Sequence, residues 1–273
     1  MNKKLLAAAV ASAVAVPGFA AADVNTYGTL YIRTQVQDSN ISMIDGATRF
    51  GFNSSKDMGN GNTVSGKVEL GLDVSDGHIN TGNTSRVTTV SFGGDWGSAT
   101  VGSQWSVMTG PDWVTCALSG ASCAGHVGYQ GRVADSLVIT GPAVGPLALS
   151  VQFEADGSDL AAWAVASGID VGALSITAAY RDTDTNAFHG VGVSGNTAGV
   201  IWGASFSDQD VGNEGNGLFL EVQGLRFQYD ETGGDSDLGF NYNIPLGGAT
   251  MRLILVDNEG EETKAAVQFN YSL

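Results

Sequence analysis

Cys116 and Cys123 are the only two cysteines of the chain, and they sit in one segment with His126 close behind. In an oxidising compartment this spacing predicts a disulfide, which would stiffen the segment that carries it. Metal binding is the alternative, but two cysteines and one histidine at this spacing match no standard zinc pattern. Two acidic groups stand out further on: Asp208, Asp210 and Glu214, then Glu259, Glu261 and Glu262. They read either as solvated loops or as places that loosely hold Ca or Mg. No calcium-binding loop of regular spacing is present. Catalytic constellations are missing. Besides His126 there are His78 and His189, but no Gly-x-Ser-x-Gly, His-Glu-x-x-His or nucleotide-binding loop accompanies them. The chain is not expected to be an enzyme.

The charge balance narrows the classes. Twelve basic groups face 28 acidic ones, a formal charge of −16. Nucleic-acid binding needs clustered Lys and Arg and is disfavoured. Lys3 and Lys4, the apolar run Leu5 to Val16, and Ala20-Ala21-Ala22 form a secretory signal pattern. Residues 1–22 are expected to be removed on export, leaving one domain over 23–273. Losing two lysines takes the charge from −16 to −18. No mature stretch approaches the ~20 apolar residues of a spanning helix. A hydrophobic content of 43% is that of a folded chain. The 39 glycines are roughly double the usual share, and with only 5 prolines they point to sheets with tight turns.

Most of the charges of interest lie in segments that alternate. Leu30 and Ile32 facing one way put Arg33 on the other side. Phe50 and Phe52 do the same for Arg49 and Asn53. Val68, Leu70 and Leu72 put Lys67, Glu69 and Asp73 on the opposite face, and Val133, Leu137 and Ile139 place Arg132 there. The segment after Arg86 alternates poorly at Thr88 to Phe92. Farther along, Leu225, Phe227 and Tyr229, then Leu238, Phe240 and Tyr242, then Ala265, Val267, Phe269 and Tyr271 keep the period of two. In a soluble sandwich the polar face meets bulk water. In an outer-membrane barrel the apolar face meets lipid and the polar face lines a lumen. Aromatic residues such as Tyr180, Trp202, Phe206, Tyr229 and Tyr271 suit an interfacial girdle or a sandwich core.

Turn spacing favours the barrel. One set of connections is short: Asp95-Trp96-Gly97, Ile169 to Gly172, Gly195-Asn196-Thr197, Gln223-Gly224 and Pro245-Leu246-Gly247. The alternate set is acidic and polar: Asp38 to Gly46, Asp76 to Asn83, Asp156 to Asp159, Asp182 to Asn186, Asp208 to Asn216, Thr232 to Ser236 and Asp257 to Glu262. Sixteen strands are predicted, over 24–36, 47–55, 63–75, 84–94, 98–103, 133–141, 147–156, 160–168, 173–181, 187–194, 198–207, 217–223, 225–231, 237–243, 248–256 and 263–271. The segment 104–131 breaks the alternation, and a loop of that length is usually functional or disordered. In a wide barrel it can fold inward as the third external loop and narrow the lumen.

Ordered motifs in the first half carry a resemblance. Tyr27-Gly28, Arg49-Phe50-Gly51-Phe52 and Lys56 to Gly61 resemble the opening of general Gram-negative porins. Arg86 through Gly94-Asp95-Trp96-Gly97 to Gly102, and Arg132 to Leu137 with Gly141-Pro142, are similar to the family's strands on either side of the constriction loop. The resemblance implies an outer-membrane homotrimer of sixteen-stranded antiparallel barrels, in contact with membrane lipid and lipopolysaccharide. It implies passive diffusion of ions and small hydrophilic solutes. It maps wall arginines onto Arg49, Arg86 and Arg132, a loop carboxylate onto Asp112, and an inward acid onto Glu69. Arg33 is a further wall candidate from its parity. Asp112 could instead cap the turn after Pro111.

Three departures stand beside the likeness. Ser103 occupies a position where many relatives carry a basic residue, the loop has one carboxylate, and Leu273 ends the chain where phenylalanine is usual. The acidic outer loops should concentrate cations at the mouth, so weak cation selectivity is expected despite the wall arginines. The alternatives are a secreted acidic sandwich that binds carbohydrate or cations, and a barrel used as a surface anchor or adhesin.

Overall fold

The computed structural model describes residues 23–79, 85–112, 114–115 and 131–273. The predicted leader, Cys116, Cys123 and His126 lie outside the described residues. The described part forms one antiparallel sheet of sixteen staves that closes on itself, with one short helical turn. In chain order the staves are β1 (Asp23–Gln37), β2 (Asn40–Asp45 continued by Arg49–Gly59), β3 (Asn62–Asp73), β4 (Ser85–Gly94) and β5 (Gly97–Trp105). The turn α1 (Thr109–Asp112) precedes β6 (Arg132–Thr140), β7 (Leu147–Asp156), β8 (Asp159–Val171), β9 (Leu174–Thr183) and β10 (Ala187–Thr197). Then come β11 (Val200–Gln209), β12 (Gly215–Val222), β13 (Leu225–Thr232), β14 (Asp235–Pro245), β15 (Ala249–Asn258) and β16 (Lys264–Ser272). The two residues His78–Ile79 pair with the end of β3. Closure is by β16 on β1, with Leu30 opposite Tyr271 and Ile32 opposite Phe269.

Alternation decides the two faces. On β13, Phe227 is 51% exposed while its neighbour Gln228 is 0% exposed. Leu225 and Tyr229 share the outer face with Phe227, and Arg226 and Asp230 share the buried face with Gln228. The same split runs through Leu238, Phe240 and Tyr242 on β14 and through Leu253 and Leu255 on β15. A closed barrel leaves no backbone edge unpaired, which permits an apolar exterior in hydrocarbon.

Tight turns account for much of the glycine. Asn60-Gly61, Ala198-Gly199 and Gln223-Gly224 each place two consecutive residues at positive φ. Two-residue hairpins need this backbone because it matches the strand twist. It also corrects two expected connections. Gly195-Asn196-Thr197 belongs to β10, and the turn falls at Ala198-Gly199, where alanine itself adopts φ 52°. Asp38 to Gly46 is not a loop: Asp38 and Ser39 turn the chain at φ 53° and 61°, and Asn40–Asp45 returns as strand. Asp45 then folds back on the bend, with its carboxylate accepting from the Ala47 and Thr48 amides.

Candidate functional site

The inner wall of β1 to β4 gathers charge around one carboxylate. Tyr27, Gly51, Glu69 and Val87 are successive register partners, so they form one lateral row. Glu69 is only 4% exposed. Arg86 Nε donates to its Oε1 at 2.9 Å, and the Tyr27 hydroxyl donates to Oε2 at 3.0 Å. Arg49 Nε and Lys67 Nζ stand 3.8 and 3.9 Å from Oε2. Three cations therefore surround one anion, and the patch keeps a positive surplus. Arg49 is steadied further by a bond from Nη1 to the Ala47 carbonyl at 3.2 Å, and its guanidinium lies 5.9 Å from the Tyr31 ring centre.

A bulge explains the poor alternation near Arg86. Glu69 pairs with Val87, but Leu70 pairs with Ser85, so Arg86 is an extra residue on its strand. A bulge re-aims a side chain locally, and here it brings the guanidinium onto Glu69. Beyond it Val90 and Phe92 face outward regularly.

A second bulge overturns one parity argument. Gly102 pairs with Ser136, whereas Gln104 pairs with Val133, so β6 carries one residue more than β5, with Asp135 at φ 48°. Val133 was expected on the outer face with Leu137 and Ile139. It is 8% exposed and pairs with buried Gln104. Arg132 pairs with Trp105, and its guanidinium stacks 5.3 Å over that ring. Arg33 has partners of its own. It lies in the row Asn243, Arg252, Gln268, Arg33, where its Nε donates to Gln268 Oε1 at 3.3 Å and Arg252 Nε donates to Asn243 Oδ1 at 2.7 Å. Asp112 ends α1, and its side chain lies outside what is described.

Several lumen residues went unmarked in the sequence. Arg181 makes a two-pronged pair with Glu154, at 2.9 Å from Nε and 2.8 Å from Nη2. Gln152 donates to the same Glu154 and accepts the Val107 amide at 2.8 Å. Arg226 and Arg252 are inward arginines of β13 and β15. Alternation would have found their facing. Their partners depend on cross-strand register, which periodicity does not contain.

The start of the 104–131 segment lies against the inner wall. Met108 is almost fully buried, and α1 packs on β9, β10 and β11. Pro111 sits against Gly190 and Val114 against Gly192 and Gly203. The Thr115 hydroxyl is 2.6 Å from that of Ser205. The described part of the loop thus crosses the lumen side of β7 to β13. A cavity of about 450 Å³ lies on the other side, lined by Tyr27, Asn53, Ser55, Ser65, Lys67 and Ser91, among others.

A closed, polar-lined barrel with an inward loop has a counterpart among known families. The family model for Gram-negative porins matches residues 7–273. The chain belongs to the Gram-negative porin family. None of the curated proteins matches its sequence. Solved structures agree on the fold. The anion-selective porin from Comamonas acidovorans superposes with a TM-score of 0.73 at 15% identity, covering 93% of this chain and 100% of that one. A loop L8 deletion mutant of OmpT, an outer membrane protein of Vibrio cholerae, gives 0.70 at 13% identity over 93% and 100%. A mutant of Rh. blastica porin gives 0.76 at 13% identity over 92% and 100%. The porin therefore keeps the family's barrel at low sequence identity.

Proposed function

We propose that this porin is an outer-membrane diffusion channel for ions and small hydrophilic solutes, working without energy coupling. The observation that carries the reading is the division of the lumen. Residues 106–112 and 114–115 occupy the β7 to β13 side, and the polar cavity is left beside the Glu69 group. A solute passing there meets fixed charges at short range, where Coulomb forces bias ion type and orient dipoles. No bond is made or broken, so no catalytic step is needed.

The finer features follow from the same reading. The porin assembles as a homotrimer in the outer membrane, among lipid and lipopolysaccharide, after export through the periplasm. Cys116 and Cys123 form a disulfide that stiffens the constriction loop, with Asp112 as its one carboxylate. Ion preference is weakly cationic. The surplus of acid in the chain raises cation concentration at the mouth, while the Arg49, Arg86 and Lys67 group works against it deeper in. The anion selectivity of the Comamonas acidovorans porin belongs to that protein.

Planar-bilayer recording of the purified porin in graded salt tests this. Stepwise currents in groups of three, with a reversal potential on the cation side, are the expected result. A chloride-favouring reversal potential would remove the selectivity claim. Folded, inserted protein without conductance would remove the channel itself.

A further inference from the structure

The loop that crosses the lumen rests in a seat built from bare backbone. Thr177 of β9, Gly192 of β10, Ser205 of β11, Gly217 of β12 and Asp230 of β13 are register partners in turn and form one lateral row. The loop runs along that row. A Cβ on Gly192 would stand 2.6 Å from Cγ2 of Val114, and one on Gly203 would stand 2.8 Å from Cγ1. A Cβ on Gly217 would overlap the Thr115 hydroxyl. Thr115 is 0% exposed.

Packing fills this seat, but the loop also brings backbone carbonyls to it. The carbonyls of Val114 and Thr115 both face Arg226, with Nη2 at 3.5 and 3.4 Å. Arg226 is itself fixed on three sides. Its guanidinium carbon lies 3.6 Å from the Phe219 ring centre, Nε donates to Gln228 Oε1 at 3.2 Å, and Nη1 is 3.8 Å from Glu221 Oε2. A guanidinium is a planar fork of donors, so once its ring contact and Nε bond are set, the remaining prong has one direction. That prong is aimed at the loop.

We propose that Arg226 is the positioning residue that holds the constriction loop against the β9 to β13 wall, and that a steady open aperture depends on this latch. The proposal rests on the diffusion-pore reading. Without the guanidinium, the loop keeps its ties to Gln152 and Ser205 but loses the bonds from Arg226 to the Val114 and Thr115 carbonyls.

The test uses full-length porin and two variants that act by different means. Arg226→Gln removes the charged fork, and Gly217→Val lifts Thr115 by volume alone. Both should raise open-channel current noise and partial closures on the order of tenfold, the scale of one charge-assisted hydrogen bond. Arg226→Lys, which keeps a charged donor, should fall between them and the parent. Hydrogen exchange gives a second readout that does not need conduction. Amides of 107–115 should exchange faster in Arg226→Gln, while the strand amides of β9 to β13 do not change. A quiet Arg226→Gln channel with parental loop exchange overturns the latch, and if that variant does not fold, a quiet Gly217→Val channel does so. Faster loop exchange in a protein whose parent never conducts would keep the latch and remove the pore reading.

Discussion

Tyr27 and Glu69 stand two staves apart on one row of the barrel wall, and the Tyr27 hydroxyl reaches Glu69 Oε2 at 3.0 Å across the bare backbone of Gly51. A Cβ on Gly51 would lie 2.6 Å from the Tyr27 ring tip and 2.5 Å from the Val68 carbonyl. The glycine is therefore part of the charge cluster, although it carries none of the charge. Gly51→Ala should destabilise the barrel by about 1–3 kcal/mol, the usual cost of overpacking, and should free the tyrosine hydroxyl. Denaturant titration of folding into lipid vesicles measures the first effect. An unchanged midpoint would mean that the ring yields without cost.

Among the described residues, Glu69 is the carboxylate held by Arg49, Lys67 and Arg86. Removing its charge leaves the three cations uncompensated. A unit charge at 4 Å is worth about 1 kcal/mol in water-like surroundings, so Glu69→Gln should move the cation-to-anion permeability ratio toward anions roughly fivefold. The salt-gradient reversal potential reads this directly. An unchanged ratio would show that Glu69 does not act on passing ions.

Phe227 and Gln228 are neighbours in sequence and opposites in surroundings. Arginine in place of Phe227 would face hydrocarbon and should cost about 2–4 kcal/mol of folding stability near the membrane centre. Gln228→Arg points inward beside Asp230 and stays clear of hydrocarbon, so its loss should be the smaller of the two, although it gives up the bond to Arg226. Vesicle folding titrations of the pair test the facing of β13 independently of any channel recording. Equal losses for the two would contradict it.

At the outer rim two adjacent carboxyls are displaced in opposite directions. A bond from Lys264, helped by Asn258, holds Glu261 below the usual glutamate range, and a hydrogen bond with Asp38 pushes Glu262 above it. The Glu261 tie is complete above the ordinary glutamate value and is lost as pH falls through the depressed one. The Glu262 tie is complete below the ordinary value and is lost as pH rises through the raised one. Both ties coexist only in the acid window between those values. Carboxyl-carbon NMR titration should place the Glu262 midpoint above that of Glu261. The reverse order would remove the Asp38 contact.

The strands, their facing and most turns were legible because alternation is a local signal. Leu225 to Tyr229 and Leu238 to Tyr242 declare their outer face in a few residues. Bulges are less visible, since one extra residue changes register without changing composition. That is how Arg86 comes to face Glu69, and why Val133 is buried against expectation. The site was legible only in part for a related reason. Arg49, Arg86 and Glu69 converge, while Arg33 bonds Gln268 and Arg132 stacks on Trp105. Gly192, Gly203 and Gly217 look like ordinary strand glycines until the loop that fills them is in view. Arg226 sits where only the strand rhythm resembled the family, so no motif drew attention to it.

The pairing of β1 with β16 bears on how the molecule is assembled. Arg33 and Gln268 meet across 235 residues of sequence, and neither strand has its second neighbour until they do. A hairpin inserted alone would expose its polar face and a free backbone edge to hydrocarbon, at several kcal/mol for each unsatisfied group. Insertion hairpin by hairpin therefore carries two open edges through hydrocarbon from the first step until closure. The chain must collect its strands in the aqueous or interfacial region and cross the bilayer as a nearly complete cylinder, which makes its birth in the membrane a concerted event.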